Sequence, residues 1–92
     1  MKSTYRAAHI LVNAKYEADD LLRKLAGGAE FSELAKKFSS CTSAKSGGDL
    51  GPIRLGKAHE EFETACLELK IGEITKVPVR TPFGYHIIKR IE

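Results

Sequence analysis

Hydrophobic residues follow two different spacings along the chain. Near both ends they form dense or alternating runs: residues 5–12 (YRAAHILV) predict a strand, and residues 74–81 and 84–91 predict two more, joined by a turn around 82–84. The aliphatic density of residues 5–12 is typical of a central strand covered on both faces. We therefore expect a sheet whose middle contains the first strand.

Helical spacing occupies three other segments. Residues 16–26, 30–38 and 58–69 carry apolar side chains three and four positions apart, which predicts amphipathic helices. Gly27 and Gly28 give the first helix a flexible end of the kind that helix C-termini favour. Two helices in quick succession should thus follow the first strand.

The segment 39–56 (SSCTSAKSGGDLGPIRLG) is rich in Ser and Gly and predicts a loop with a short helical turn near 43–46. Residues 50–55 predict a short strand, and Pro52 favours an edge position or a bulge because proline lacks an N–H donor. The resulting order of strands and helices predicts an α+β domain with a small sheet.

Length, composition and charge narrow the class of protein. With 92 residues, 42% hydrophobic and 29% charged, the chain predicts a single compact domain covering residues 1–92. The net charge of +3 is mild and its basic residues are scattered, so no nucleic-acid partner is expected. No apolar run approaches the roughly 20 residues of a membrane span, and the polar start does not resemble a secretion signal. We expect a cytoplasmic protein with no membrane partner, in which Cys41 and Cys66 are free thiols.

Two histidines stand where strands need apolar side chains. His9 precedes three aliphatic residues, and alternation in the last strand places His86 on the same face as Ile88. The first and last strands could be neighbours, because the termini of compact domains often lie close together. Neutral imidazoles can donate at one nitrogen and accept at the other, so adjacent rings can satisfy each other inside a sheet. We predict that the two histidines mark one site.

Four stretches together carry a family resemblance: HILV, FSELAKKFSSCTSAKSGGDLG, FE and FGYHIIKR, at separations that cover nearly the whole chain. The sequence resembles the parvulins, which are small peptidyl-prolyl cis/trans isomerases, in a single-domain bacterial-type form. The resemblance implies a parvulin-like (FKBP-like) α+β fold, with a four-stranded antiparallel sheet, about four helices and the order β-α-α-α-β-α-β-β. It also implies a non-covalent, rotamase-type activity that uses no cofactor and no metal.

The site residues are likewise those that the resemblance implies. Its proline pocket corresponds to Leu50, Ala58 and Phe62, and its polar part to His9, Cys41, Thr81 and His86. Many relatives have methionine where this chain has Ala58, so the slot for the proline ring should be wider here. Two roles stay open for Cys41: direct participation near the substrate carbonyl, or a polar wall that tunes the electrostatics.

Other interpretations compete with this assignment. A zinc site from His9, Cys41 and His86 lacks the short ligand spacings of common zinc motifs, and a Cys-His hydrolase lacks motifs for an orienting group and an oxyanion hole. Phe62 could serve only as core. The expected partners are proline-containing peptides and unfolded or nascent proteins, bound by a monomer. A non-catalytic Pro-peptide-binding or chaperone module is the alternative function.

The segment between the first strand and first helix bears on substrate charge. Phosphate-selecting parvulins insert a basic loop here, whereas residues 12–20 carry one lysine and three acids. A preference for phosphoserine before proline is therefore not expected, although a cleft near Cys41 flanked by Lys45 and Arg54 could favour acidic or apolar residues at that position.

Overall fold

The computed structural model describes residues 3–92. Four antiparallel strands form one sheet in the order β2-β1-β4-β3: β1 (Thr4–Val12), β2 (Asp49–Arg54), β3 (Val79–Thr81) and β4 (Gly84–Arg90). Three α-helices and a 3₁₀ helix connect them: α1 (Lys15–Ala26), α2 (Phe31–Phe38), the 3₁₀ helix (Thr42–Ser46) and α3 (Glu60–Leu67). The predicted α+β class, the antiparallel four-stranded sheet and the element order are confirmed.

The first and last strands are neighbours in the middle of the sheet. In the β1–β4 register His9 is opposite Ile88, and Leu11 is opposite His86, so both imidazoles lie on one face of the sheet. That face packs against α3 through Phe62 and other side chains. The opposite face packs against α1 and α2 in a second, larger core. Both faces of β1 are therefore covered, as its aliphatic sequence predicts.

The predicted strand over 74–81 is too long. Ile74 forms only an isolated bridge with Lys89, and Thr75 donates its N–H to the carbonyl of Ile88. The chain then bends away at residues 76–77, and regular pairing resumes at Val79. Pro78 has no N–H to donate to a ladder, which fits the interruption. Only Val79–Thr81 is strand.

The third helix is also shorter than the predicted 58–69. It begins at Glu60, with His59 at the N-cap position, and ends at Leu67. Ala58 therefore lies in the connection before the helix, where its position depends on the backbone of a turn. Pro52 lies in β2, an edge strand whose pairing with β1 is irregular between Arg6 and Ala8, as its missing donor predicts.

The backbones of Gly48 and His9 approach each other closely where β2 begins. Gly48 has φ +87°, and its carbonyl accepts a 2.9 Å hydrogen bond from the N–H of His9. A Cβ atom at Gly48 would lie 2.4 Å from the His9 carbonyl oxygen. Only glycine allows this contact, so the Gly-Gly-Asp-Leu-Gly motif determines how β2 is placed beside His9.

No helix within residues 3–92 combines the length and the apolar character that crossing a bilayer requires.

Candidate functional site

A cavity of about 580 Å³ opens on the α3 side of the sheet. Strands β1 and β4 form its floor, and α3 and the connection before it form one wall. All seven side chains that the resemblance implied line this cavity: His9, Cys41, Leu50, Ala58, Phe62, Thr81 and His86. Residues separated by as many as 77 positions in the chain are thus brought to one place.

Five further residues line the cavity that sequence reasoning missed: Leu11, Ile53, Lys57, His59 and Phe83. Leu11 could have been found by alternation, since it lies two residues after His9 on the same strand. Phe83 could also have been found, because an aromatic side chain in a turn is only partly covered and is thus a candidate for a binding surface. Phe83 is 66% exposed and makes an edge contact with His59. Lys57 and His59 lie in a connection whose path the sequence did not reveal.

Cys41 is held beside β1 by the two serines before it. The N–H of Leu11 donates to Ser39 Oγ at 3.0 Å, and the N–H of Ser40 donates to the Leu11 carbonyl at 2.8 Å. These bonds pair the segment before the 3₁₀ helix with the end of β1 that lies beyond its pairing with β2. The thiol is half-buried at the cavity as a result.

Three side chains form a hydrogen-bonded chain across the cavity floor. Nδ1 of His9 lies 2.9 Å from Nδ1 of His86, and Nε2 of His86 lies 2.6 Å from Thr81 Oγ1. Thr81 Oγ1 also accepts the N–H of Phe83 at 3.2 Å. The imidazoles are stacked, with centroids 5.0 Å apart. Both rings are about 95% buried, so each nitrogen must be satisfied by protein or remain unpaired.

The direction of the proton chain follows from the threonine. If Thr81 donates its hydroxyl proton to Nε2 of His86, then His86 carries its proton on Nδ1 and donates it to His9. This arrangement uses the Thr81 hydrogen and leaves its oxygen to accept from Phe83. The reverse direction would leave the Thr81 hydroxyl hydrogen without an acceptor among the described residues. We therefore assign the proton of His9 to Nε2, which has no hydrogen-bond partner within residues 3–92.

Burial keeps both rings uncharged. Desolvation lowers the pKa of His9 to about 4. Desolvation, with smaller contributions from His9 and His59, lowers the pKa of His86 to about 4 as well. At neutral pH the floor of the cavity is therefore a neutral dipolar network.

Acid should destabilise the fold through this pair. The unfolded chain takes up protons at its histidines below a pKa of 6.5, whereas the buried rings do so only near 4, so stability falls as the pH decreases between these values. We expect the two rings together to cause a loss on the order of 5 kcal/mol from pH 6.5 to pH 4, measured by urea unfolding.

Two variants test this assignment. The double variant His9→Asn/His86→Asn should show a much flatter pH dependence. The control His59→Gln, which removes the exposed histidine and its small effect on His86, should keep nearly the full slope. An undiminished slope in the double variant would show that other groups cause the acid sensitivity.

Phe62 joins the polar floor to the apolar wall. Its ring makes edge contacts with His9 and His86, at centroid distances of 5.7 and 5.5 Å. It also packs in the core with Cys66 and Ile88, and it lines the cavity. The two interpretations of Phe62, core and pocket wall, therefore both hold.

Both cysteines lie within residues 3–92 and are free, and of these two only Cys41 lines the cavity. Burial raises the pKa of the Cys41 thiol, but the neighbouring polar groups of Ser43 and Thr42 outweigh this and lower the pKa overall. No hydrogen bond joins Cys41 to either histidine in residues 3–92, and no carboxylate orients their rings there. The geometry therefore gives a Cys-His nucleophile no support.

The cavity has one charged side chain, at its exposed rim, among the described residues. Lys57 is the only Lys, Arg, Asp or Glu among the lining residues of the described chain, and it is exposed. Lys45 and Arg54, which the sequence favoured for this role, do not line the cavity. Within residues 3–92, no three or more His, Cys, Asp or Glu side chains are grouped so as to hold a metal ion, so the geometry does not favour the zinc alternative.

Comparisons with known proteins identify the family of this chain. Residues 7–92 match the family model of the rotamase, PPIC-type PPIase domain. The foldase protein PrsA of Bacillus subtilis is 45% identical over an alignment covering 100% of this chain and 32% of that protein. The chain thus spans about a third of the length of the curated relatives it matches.

Two solved structures extend the comparison to the fold. A crystal structure of PrsA from Bacillus anthracis superposes with a TM-score of 0.92 at 48% identity, covering 96% of this chain and 41% of that one. The solution structure of the parvulin of Nitrosopumilus maritimus gives a TM-score of 0.85 at 39% identity and covers 100% of this chain and 99% of that one. The second match is close in length as well as in fold.

Proposed function

Because the chain belongs to the family of PPIC-type peptidyl-prolyl cis/trans isomerase domains, the parvulins, we propose that it accelerates rotation about Xaa-Pro bonds in peptides and folding proteins. The observation that carries the proposal is one apolar cavity whose floor is a buried, neutral His-His-Thr network. Its substrates would be proline-containing peptides and unfolded or nascent proteins.

The cavity supplies what this reaction needs. Rotation about an Xaa-Pro bond meets a barrier of ~18–20 kcal/mol, because the planar amide loses its resonance on the way. No bond to a catalyst has to form. A catalyst can bind the proline ring in an apolar slot and surround the twisted amide with little water, since the twisted carbonyl is less polar than the planar one. Leu50, Ala58 and Phe62 would form that slot.

The histidine pair would act through its neutral, fixed dipoles. A charged imidazole beside the substrate carbonyl would stabilise the planar, polar amide and so oppose rotation. The low pKa values of His9 and His86 are consistent with a floor that stays neutral. We propose that Cys41 is a polar wall beside the carbonyl, and that Thr81 orients His86.

A refolding experiment tests the function on a protein substrate. We expect a trace of this protein to accelerate the slow, proline-limited refolding phase of an unrelated client, whose uncatalysed phase lasts tens to hundreds of seconds. The rate should rise in proportion to the amount of protein added, far below the client concentration. Unchanged kinetics at these concentrations would argue against catalysis.

The alternative is a module that binds Pro-containing segments without turnover. The small side chain of Ala58 is the feature that favours it, because it offers the proline ring little contact on one wall. Such a binder would affect refolding only near stoichiometric amounts. The dose dependence of the refolding rate therefore separates the two functions.

Catalysis should not depend on phosphorylation. Only residues 13–14 separate β1 from α1, and Lys15 pairs with Asp19 at 3.0 Å. No basic loop at this connection is available to a phosphate. Lys57 on the rim would instead give a mild preference for acidic residues near proline, which a panel of Ala-Pro, Glu-Pro and phosphoserine-Pro peptides would reveal.

Filling the slot should improve binding. We expect Ala58→Met to lower KM for an Ala-Pro peptide about threefold to tenfold, because the longer side chain adds apolar contact with the proline ring. The control Ala26→Met, on an exposed position of α1, should leave KM unchanged. An unchanged or higher KM in Ala58→Met would show that residue 58 does not contact the substrate.

The monomeric state and the cytoplasmic location stay predictions. Sedimentation at several protein concentrations tests the first, and fractionation of the source cells tests the second.

A further inference from the structure

Glu63 follows Phe62 in the Phe-Glu motif, but it does not line the cavity and has no part in the proline slot described above. Its carboxylate accepts the N–H of Gly56 at 3.0 Å with each oxygen. It also accepts the hydroxyl of Tyr5 at 3.1 Å. One acid on α3 thus binds both a backbone amide in the connection before the helix and a side chain of β1.

The amide that Glu63 accepts belongs to the turn beside the slot. The N–H of Lys57 donates to the carbonyl of Arg54 at 3.1 Å, closing a four-residue turn after β2. Gly56 is its third residue, and its φ of +86° fits a type II turn. Its own N–H has no partner in such a turn, so the carboxylate of Glu63 satisfies it.

The position of this turn matters because of Ala58. That residue follows the turn by one position, lies outside the helix, and contributes only a methyl group to the cavity wall. A long side chain could adjust its rotamer to the proline ring, but a methyl group cannot. The width of the slot at Ala58 is therefore set by where the backbone lies.

Tyr5 connects the same carboxylate to the core. The Tyr5 ring is about 96% buried and packs in the cluster that contains Phe62 and Cys66. Burial, with the neighbouring Glu63, raises the pKa of the Tyr5 hydroxyl well above its usual range, so it remains a donor. The turn is thus held through Glu63 to the residues beneath the slot.

We propose that Glu63 is a positioning residue: by binding Gly56 and Tyr5 it holds the turn 54–57, and so Ala58, at the distance from Phe62 that fits a proline ring. This inference rests on the proposed isomerase function. Because the wall contacts the ring in the planar and twisted states alike, the effect falls on substrate binding more than on turnover.

The test compares four variants by KM, kcat and the hydrogen exchange of the Gly56 amide. Glu63→Ala should raise KM for an Ala-Pro peptide about fivefold to tenfold with kcat within about twofold, and should speed Gly56 exchange at least tenfold. Glu63→Gln keeps an acceptor for Gly56 and should restore KM to within about twofold of the parent. Tyr5→Phe should raise KM about twofold. Glu61→Ala, an exposed acid of the same helix, should change nothing.

Three outcomes would overturn the proposal. They are unchanged Gly56 exchange in Glu63→Ala, faster exchange with KM unchanged, or a Glu63→Gln variant as impaired in KM as Glu63→Ala. A merely stabilising role would lower the free energy of unfolding without moving KM. If Glu63→Ala does not fold, Glu63→Gln and Tyr5→Phe decide the question: a normal KM in Tyr5→Phe would contradict the role of the tyrosine. If the parent protein shows no catalysis, the isomerase function fails, and peptide affinity with Gly56 exchange still tests the inference.

Discussion

Gly48→Ala should destabilise the protein by at least about 3 kcal/mol, measured by urea unfolding. The added Cβ would lie 2.4 Å from the His9 carbonyl oxygen, and that oxygen belongs to a backbone in the middle of the sheet. The φ of +87° adds strain for any residue with a side chain. β2 would have to move away from β1, and the hydrogen bond from His9 to Gly48 would lengthen or break.

Gly51→Ala is the matched control for that substitution. Gly51 also has a positive φ, +70°, but nothing lies within 4 Å of a Cβ built there. It therefore carries only the conformational cost, about 1 kcal/mol. Equal losses in the two variants would mean that the backbone contact with His9 contributes nothing beyond the conformation of the glycine.

Phe62→Ala should lower kcat/KM for an Ala-Pro peptide by about 10-fold to 100-fold. Losing the contact of an aromatic ring with the proline removes roughly 1.5–3 kcal/mol of stabilisation from the bound states. The edge contacts with His9 and His86 disappear as well, which loosens the floor. Activity should be measured where the variant is fully folded, since emptying this position also costs about 3–5 kcal/mol of stability.

Cys66→Ala is the control that distinguishes the loss of slot contacts from the loss of core packing. Cys66 is fully buried on the same helix and in the same cluster as Phe62, but it does not line the cavity. We expect a loss of about 1–2 kcal/mol in stability with kcat/KM within about twofold of the parent. A similar fall in activity in both variants would indicate that general destabilisation, and not the slot, explains the effect of Phe62→Ala.

Local patterns in the sequence were enough for much of the fold. The aliphatic run around His9 predicts the covered central strand, and the spacing in 16–26 and 30–38 predicts α1 and α2 within a residue at each end. These predictions succeed because the burial of one or both faces of an element produces a regular spacing of hydrophobic residues in the sequence. The predicted strand over 74–81 is wrong in its first half. Ile74 forms only an isolated bridge, and residues that bridge at one point show the same hydrophobic pattern as a strand.

The resemblance was enough to propose seven of the residues that line the cavity, but not their geometry. Alternation places His86 beside a buried isoleucine, yet the Nδ1–Nδ1 contact with His9 depends on the register of strands 77 positions apart. The rim could not be predicted for a related reason. Lys57 and Ala58 are positioned by a turn that Glu63 holds from the next helix, and no periodic pattern encodes such a contact.

Exchange spectroscopy on a short Ala-Pro peptide, with this protein at a small fraction of the peptide concentration, tests the central claim most directly. We expect cis/trans exchange of the peptide to accelerate in proportion to the protein added, because each molecule turns over many bonds. Binding of the peptide without any acceleration would contradict isomerase catalysis and leave a peptide-binding module as the function of this cavity.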